Sequence, residues 1–375
     1  MNLLRAVFAA FLLATPASAQ ALLSSRVETG WTSNAEAAAG GASDLYVTQA
    51  HAIALAAPGL RGTIGFEGTR FSRLWRENDW SASATLETET AIAPDAILRG
   101  SFALSHGEEG RSIATPLGPL GLVIPTLSGT ASIRAETLLS GALFGLDLAY
   151  AGKRPGDTRF EANLLPQART EPRTDTITAG VDLIAPITPL TALAARAQYR
   201  TVLVAPAERV AFGRLPVSVA RFGGGVDFGS GTPTGIVLRA GLDAIVSDPA
   251  LLAPYAEADA RLGLSDVLAL NASLLAGVDV EDPADSYADW RLEARAGLRL
   301  TPATGFAVDA ALFVAQRRSA ALELTLETER GAELIARWAA LDGVALEALA
   351  RYRQVTGLAP TYEETRLALR ISAAI

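Results

Sequence analysis

The chain has no cysteine, one methionine, two histidines and only 6% aromatic residues among 375. Without cysteine there is no disulfide scaffold, no cysteine-based zinc site and no lipoprotein anchor. Two histidines, His51 and His106, leave little material for acid–base or nucleophilic chemistry. Ser105 adjoins His106 but falls on the opposite face of an extended segment, so the two cannot pair. There is no metal-ligand spacing, no phosphate-binding loop and no nucleophile elbow, so neither an enzyme nor a resident cofactor is expected. Beyond the N-terminus there is no apolar run of about 18 residues, which excludes a helical membrane protein. A net charge of -8 weighs against nucleic acid as a partner.

What the chain does have begins with an address. Arg5, the apolar run Ala6–Ala14 and the small residues Ala17-Ser18-Ala19 have the layout of a secretory signal peptide. The expected division is residues 1–19 as signal peptide and 20–375 as one domain.

The rest alternates. Trp290, Leu292, Ala294, Ala296, Leu298 and Leu300 fall on one face of an extended segment; Arg291, Glu293, Arg295, Gly297 and Arg299 fall on the other. Ala256, Ala258, Ala260 and Leu262 oppose Glu257, Asp259 and Arg261; Leu346, Ala348 and Ala350 oppose Glu347, Arg351 and Arg353; Leu367, Leu369 and Ile371 oppose Arg366 and Arg370. A soluble sandwich also alternates. Here the apolar face is hardly broken by charge, as lipid contact requires, and the other face is charged along many strands, as a hydrated lumen would be. Trp31, Tyr46, Trp75, Trp80, Tyr150, Tyr255, Trp290 and Tyr352 are expected near one rim as an interfacial belt, with Trp338 nearer the other.

Short turns such as Pro58-Gly59, Ser140-Gly141, Asp266 and Asp342-Gly343 alternate with longer connections. The expected fold is all-β: a transmembrane antiparallel up-and-down barrel of about 18 strands, with 16 as the alternative count, in the bacterial outer membrane. Both termini and the short turns are placed on the periplasmic side. The connection 107–129 is expected to be the third outer loop. In many porins that loop folds inward; capping the barrel, meeting a partner or lying on the surface are the other readings. The connection Lys153–Thr174 carries five basic residues and either faces anionic lipopolysaccharide or is a solvated loop.

A barrel of this size leaves an aqueous channel unless something fills it. The candidate pore lining is Arg291, Glu293, Arg295, Arg299, Glu347, Arg351, Arg353, Arg366 and Arg370, with Glu257, Asp259 and Arg261 further back. On the three strands that carry 291–299, 347–353 and 366–370, arginines outnumber acids, which suggests a basic strip and a modest anion preference. The opposing reading pairs these arginines with acids elsewhere, such as Glu257, Asp259 and Glu333. No aromatic run lines the charged face, which argues against a stacked-sugar slide.

The opening Val27-Glu28-Thr29-Gly30-Trp31-Thr32-Ser33-Asn34, followed by Ser43-Asp44-Leu45-Tyr46-Val47, resembles the start of the β-barrel porin type 2 group; Thr301-Pro302-Ala303-Thr304-Gly305 and the closing hairpin also look like that group. The resemblance is specific over about 20 residues. It implies a channel for passive passage of solutes or of an exported polysaccharide, in the latter case beside a periplasmic polysaccharide-export protein. Other expected partners are outer-membrane lipid, lipopolysaccharide and the barrel-insertion machinery. One departure stands out: the last residue is Ile375, where outer-membrane assembly signals usually end in Phe. The rival function is a structural or adhesive surface barrel with a closed lumen.

Overall fold

The computed structural model describes residues 20–375 apart from 39, 116–117, 162–164, 230–231, 248–249, 281–286 and 323. The expected signal peptide lies outside the described residues. Eighteen antiparallel strands form a closed wall: β1 (Gln20–Thr32), β2 (Asp44–Ala57), β3 (Leu60–Phe71), β4 (Asp79–Ala93), β5 (Ala96–Thr115), β6 (Gly118–Leu139), β7 (Ala142–Pro155), β8 (Thr174–Thr188) and β9 (Thr191–Leu203), then β10 (Val217–Phe228), β11 (Gly235–Ile245), β12 (Leu251–Gly263), β13 (Leu268–Asp279), β14 (Asp289–Ala303), β15 (Phe306–Ser319), β16 (Thr325–Leu341), β17 (Val344–Gly357) and β18 (Tyr362–Ala374). A two-residue ladder, Arg159–Phe160, lies beside Leu122 and Val123 of β6. Each wall strand pairs with its sequence neighbours, and β18 returns to β1.

Closure is what a membrane demands, because an open edge would leave backbone donors and acceptors in hydrocarbon. The seam pairs Ser24 with Ala374 through to Thr32 with Arg366. It continues to Ile375, which exchanges two backbone hydrogen bonds with Leu23 at 2.8 and 2.9 Å. The turns at one end are tight. Ser140 and Gly141, at φ 52° and 83°, make the two-residue connection of β6 to β7. Two positive φ values in succession match the twist of a hairpin, and Gly at the second position bears the left-handed conformation without a Cβ clash.

Period 2 fixes the faces. Leu298 of β14, Leu312 of β15, Leu334 of β16 and Leu367 of β18 are all exposed on the apolar side. On the opposite side, ion pairs reach over an intervening strand: Arg26 of β1 to Glu67 of β3, Arg134 of β6 to Asp182 of β8, and Arg295 of β14 to Glu333 of β16. Such pairs belong to the concave face, where side chains converge. The charged face is therefore the lumen and the apolar face meets lipid.

Two sequence expectations change. The connection 107–129 is not an inward loop. β5 and β6 stay paired from Ala96–Thr137 to Thr115–Gly118, so most of it is the upper part of a tall hairpin. Twenty residues of strand rise ~65 Å, well beyond a hydrocarbon core of ~30 Å even when tilted. Pro125 does not end this ladder. It faces Glu108, and its carbonyl accepts the Gly156 N–H at 2.7 Å. The aromatic belt also loses two members. Tyr46 and Tyr255 are 3% and 5% exposed and belong to the charged face. Tyr46 stands between Leu45 and Val47, both exposed to lipid, so its own side chain must turn inward. Trp75, Tyr150 and Tyr352 are exposed, as is Trp338 near the short-turn rim.

Candidate functional site: the charged lumen and its outer mouth

The lumen face of β14, β15, β16, β17, β18 and β1 carries a girdle in which charge alternates from strand to strand. Asp309 lies 3.9 Å from Arg299 and 2.6 Å from Arg337. Arg337 also meets Glu347 at 2.8 Å, and Glu347 meets Arg370 at 2.7 Å. Arg370 and Arg366 converge on Glu28 at 2.6 and 2.5 Å, which carries the girdle across the barrel seam. The Arg366 Nε donates to the Tyr46 hydroxyl, and that hydroxyl donates to Glu28 at 2.9 Å. Antiparallel register produces the girdle: residues directly opposite share a face, so a charge on one strand finds its neighbour on the next.

The other arginines of the expected strip are paired as well. Arg295 meets Glu333 at 2.5 Å, Arg351 meets Glu329 at 2.9 Å, and Arg353 meets Glu364 at 2.5 Å. Arg291 meets Asp279 at 2.7 Å and Glu293 at 3.6 Å. All seven arginines of the strip thus have a carboxylate, so there is no run of free positive charge. Glu257, Asp259 and Arg261 occupy the same face but a different sector. Glu257 accepts from the Tyr255 hydroxyl at 2.6 Å and lies 3.5 Å from Arg239. Asp259 and Arg261 are exposed and are not brought beside the arginines of β14, β17 and β18.

A second girdle, which the sequence reading did not single out, crosses β4 to β9. Arg99 meets Glu89 at 2.8 Å and also Glu136. Arg134 meets Glu136 and Asp182, each at 2.7 Å, and Arg196 lies 3.4 Å from Asp182. The signal was present as alternation, since Arg99 and Arg134 occupy the charged parity of their strands, but strand pairing was needed to join them.

The outer mouth is asymmetric. Between β12 and β13 the ladder begins only at Ala256–Ala276, so the outer end of β13 leaves β12 and leans inward. Asp243 of β11 compensates. It is fully buried, accepts Arg221 Nε and Nη2 at 2.6 and 2.8 Å, and takes the Val278 N–H at 2.7 Å. A two-pronged arginine bond of this kind is what makes a buried carboxylate tolerable. Arg221 lies over the Tyr255 ring at 4.2 Å. Around it Val202, Val217, Val219, Ile245, Val280 and Tyr287 form a buried apolar cluster on the lumen side.

At the opposite sector the outer connections are tied by charge. Arg76 bridges Glu36 at 2.5 Å and Glu161 at 3.5 Å, and the Ser112 hydroxyl of the tall hairpin donates to Glu77. Burial pushes the Glu77 carboxyl above its ordinary range, with Glu36 adding to that and Ser112 and Arg76 opposing it. Among the described residues no group of histidine, aspartate or glutamate has the arrangement to hold a metal ion.

No family model matches the sequence, and no curated protein does. Solved structures match by fold. The siderophore receptor PirA from Pseudomonas aeruginosa aligns over 96% of this chain and 81% of its own, at 8% identity and a TM-score of 0.52. A mutant of the ferric enterobactin receptor PfeA from the same organism aligns over the same shares at 7% identity and a TM-score of 0.53. PirA from Acinetobacter baumannii gives 7% and 0.52. At these identities the likeness is one of architecture. Together with the apolar outer face, it makes this chain a β-barrel protein of the bacterial outer membrane.

Proposed function

We propose that the barrel is a channel for passive passage of hydrophilic solutes or of an exported polysaccharide. The observation that carries this reading is the wetness of the paired lumen charges. The side chains of Arg295, Arg299 and Arg337 are 46%, 44% and 44% exposed although each is held by a carboxylate. In a tightly packed interior these guanidiniums would be buried; here they stand open to the lumen, which supports an aqueous pore. The structures of similar fold are named as siderophore and ferric enterobactin receptors, barrels consistent with a wall built around a passage. The opening strands favour the porin type 2 group, and with it a periplasmic polysaccharide-export protein as partner. On this reading the pore lining is the set on β12, β14, β17 and β18 together with its carboxylate partners, and the protein is exported by a cleaved segment 1–19 and inserted by the barrel-insertion machinery.

A closed surface barrel is the second reading. It is favoured by the valine-rich cluster and the Asp243 latch, which narrow one sector of the mouth. Planar-bilayer conductance of the refolded barrel decides between them. Stable unitary steps, with swelling of proteoliposomes in neutral sugars, are the expected result. A correctly folded barrel with neither would overturn the channel.

A further inference from the structure

A groove of about 1110 Å³ opens on the membrane side of the wall at the outer ends of β2, β3 and β4. Leu45 and Val47 of β2 and Phe66 of β3 line it, and all three are exposed on the lipid-facing side. The rings of Phe66 and Trp80 stack at 6.5 Å with their planes 20° apart, and His106 meets Trp80 edge-on at 5.5 Å. Trp75, in the short turn Trp75–Glu77 that precedes β4, projects over the groove and is 59% exposed. This is a fixed apolar and aromatic floor at the height where tryptophan marks the membrane interface.

The groove also holds a charge out of place. Arg70 stands directly opposite Val47 in the β2–β3 ladder, so it shares the lipid-facing side with Leu45 and Phe66. Among the described residues no carboxylate pairs with it. Two carboxylates line the groove: Glu108 is taken by Arg159 at 2.8 Å, and Asp79 accepts the Thr69 N–H at 2.9 Å. At the interface an arginine on the lipid face costs little by itself, and it stands where an anionic headgroup can meet it. The surroundings specify an amphiphile: acyl chain against Leu45, Val47 and Phe66, acidic head at Arg70. The groove lies at the loop-bearing end, in the outer leaflet. We propose that it is a binding site for the lipid A part of lipopolysaccharide, with a phosphate held by Arg70 and an acyl chain on the Phe66–Trp80 floor. Guanidinium suits phosphate because its planar fork can donate two parallel hydrogen bonds. The proposal stands apart from the channel reading, since it concerns the outside of the wall.

The test is native mass spectrometry of the full barrel in detergent with added bisphosphorylated lipid A, its dephosphorylated form, or phosphatidylglycerol. One bisphosphorylated lipid A should be retained per barrel, and the other two lipids should be retained about ten-fold less. Arg70→Ala should reduce lipid A retention by about ten-fold while heat-modifiable gel migration stays that of the folded barrel. Arg330→Ala, elsewhere on the outer rim and bonded to Gln354, should leave retention unchanged. Equal retention by wild type and Arg70→Ala, or equal retention of lipid A with and without phosphate, or of phosphatidylglycerol, overturns the site.

Discussion

Glu28 is the residue on which the barrel seam turns. Its side chain is 5% exposed and receives Arg366, Arg370 and the Tyr46 hydroxyl. β1 and β18 already share a backbone ladder, so Glu28 is not needed to define their register. It is needed to hold two guanidiniums that would otherwise repel each other across the seam. Removing a buried partner leaves the other charges unmatched, a loss larger than the net worth of the pair. Here Arg366 and Arg370 are 40% and 30% exposed, so water offsets part of it. Glu28→Ala should therefore cost about 1–3 kcal/mol, read as a lower temperature for loss of heat-modifiable migration. Glu28→Ala with Arg366→Ala should cost less than the sum of the two single changes. Additive losses would show that the carboxylate and guanidinium act independently.

At the scale of the strand, the decisive quantity is which way a side chain points. Leu298 and Arg295 lie three residues apart on β14, and their parities differ. Leu298→Arg places a charge in the apolar band and should destabilise the barrel by about 2–4 kcal/mol if it lies near the bilayer midplane. Arg295→Leu takes the partner from Glu333, whose side chain is 12% exposed, but places no charge in the apolar band and should cost less. Equal losses in denaturant titrations of the two variants in lipid vesicles would reverse the assignment of faces. This in-and-out pattern was legible without coordinates, because each strand carries its own period. Most strand limits were legible too, since Gly, Pro, Asp and Ser mark the tight turns. The tall β5–β6 hairpin was not. Pro116, Pro119 and Pro125 look like loop residues in sequence, yet Pro119 and Pro125 lie in the β6 ladder, facing Ala114 and Glu108. Tyr46 and Tyr255 were placed by their nearness to a rim, although the apolar residues flanking them already implied the inward face. The girdles were legible only in part. Sequence gives the charged parity of each strand, whereas the meeting of Arg337 with Asp309 and Glu347 depends on register across three strands.

For the molecule as a whole, pairing replaces the expected basic strip by a near balance of charge. On β13 to β18 and β1, Arg291, Arg295, Arg299, Arg337, Arg351, Arg353, Arg366 and Arg370 face Glu28, Asp279, Glu293, Asp309, Glu329, Glu333, Glu347 and Glu364, eight of each. In the second girdle Arg99, Arg134 and Arg196 face Glu89, Glu136, Asp147 and Asp182, three against four. Opposite charges a few ångströms apart cancel at distances beyond their separation, and salt screens what remains within about 8–10 Å. An ion on the pore axis should then feel little net field. The expected reversal potential in a salt gradient is close to that of free diffusion, with no more than slight preference for either sign. Single substitutions should tip this balance in opposite directions. Glu347→Gln removes one negative charge between Arg337 and Arg370, which keep Asp309 and Glu28, and should move the reversal potential toward anions. Arg337→Gln removes one positive charge between Asp309 and Glu347, which keep Arg299 and Arg370, and should move it toward cations. Both shifts should shrink as salt is raised. A wild-type channel of strong selectivity, or two variants that shift the same way, would mean that the girdles do not set the field along the path of the ions.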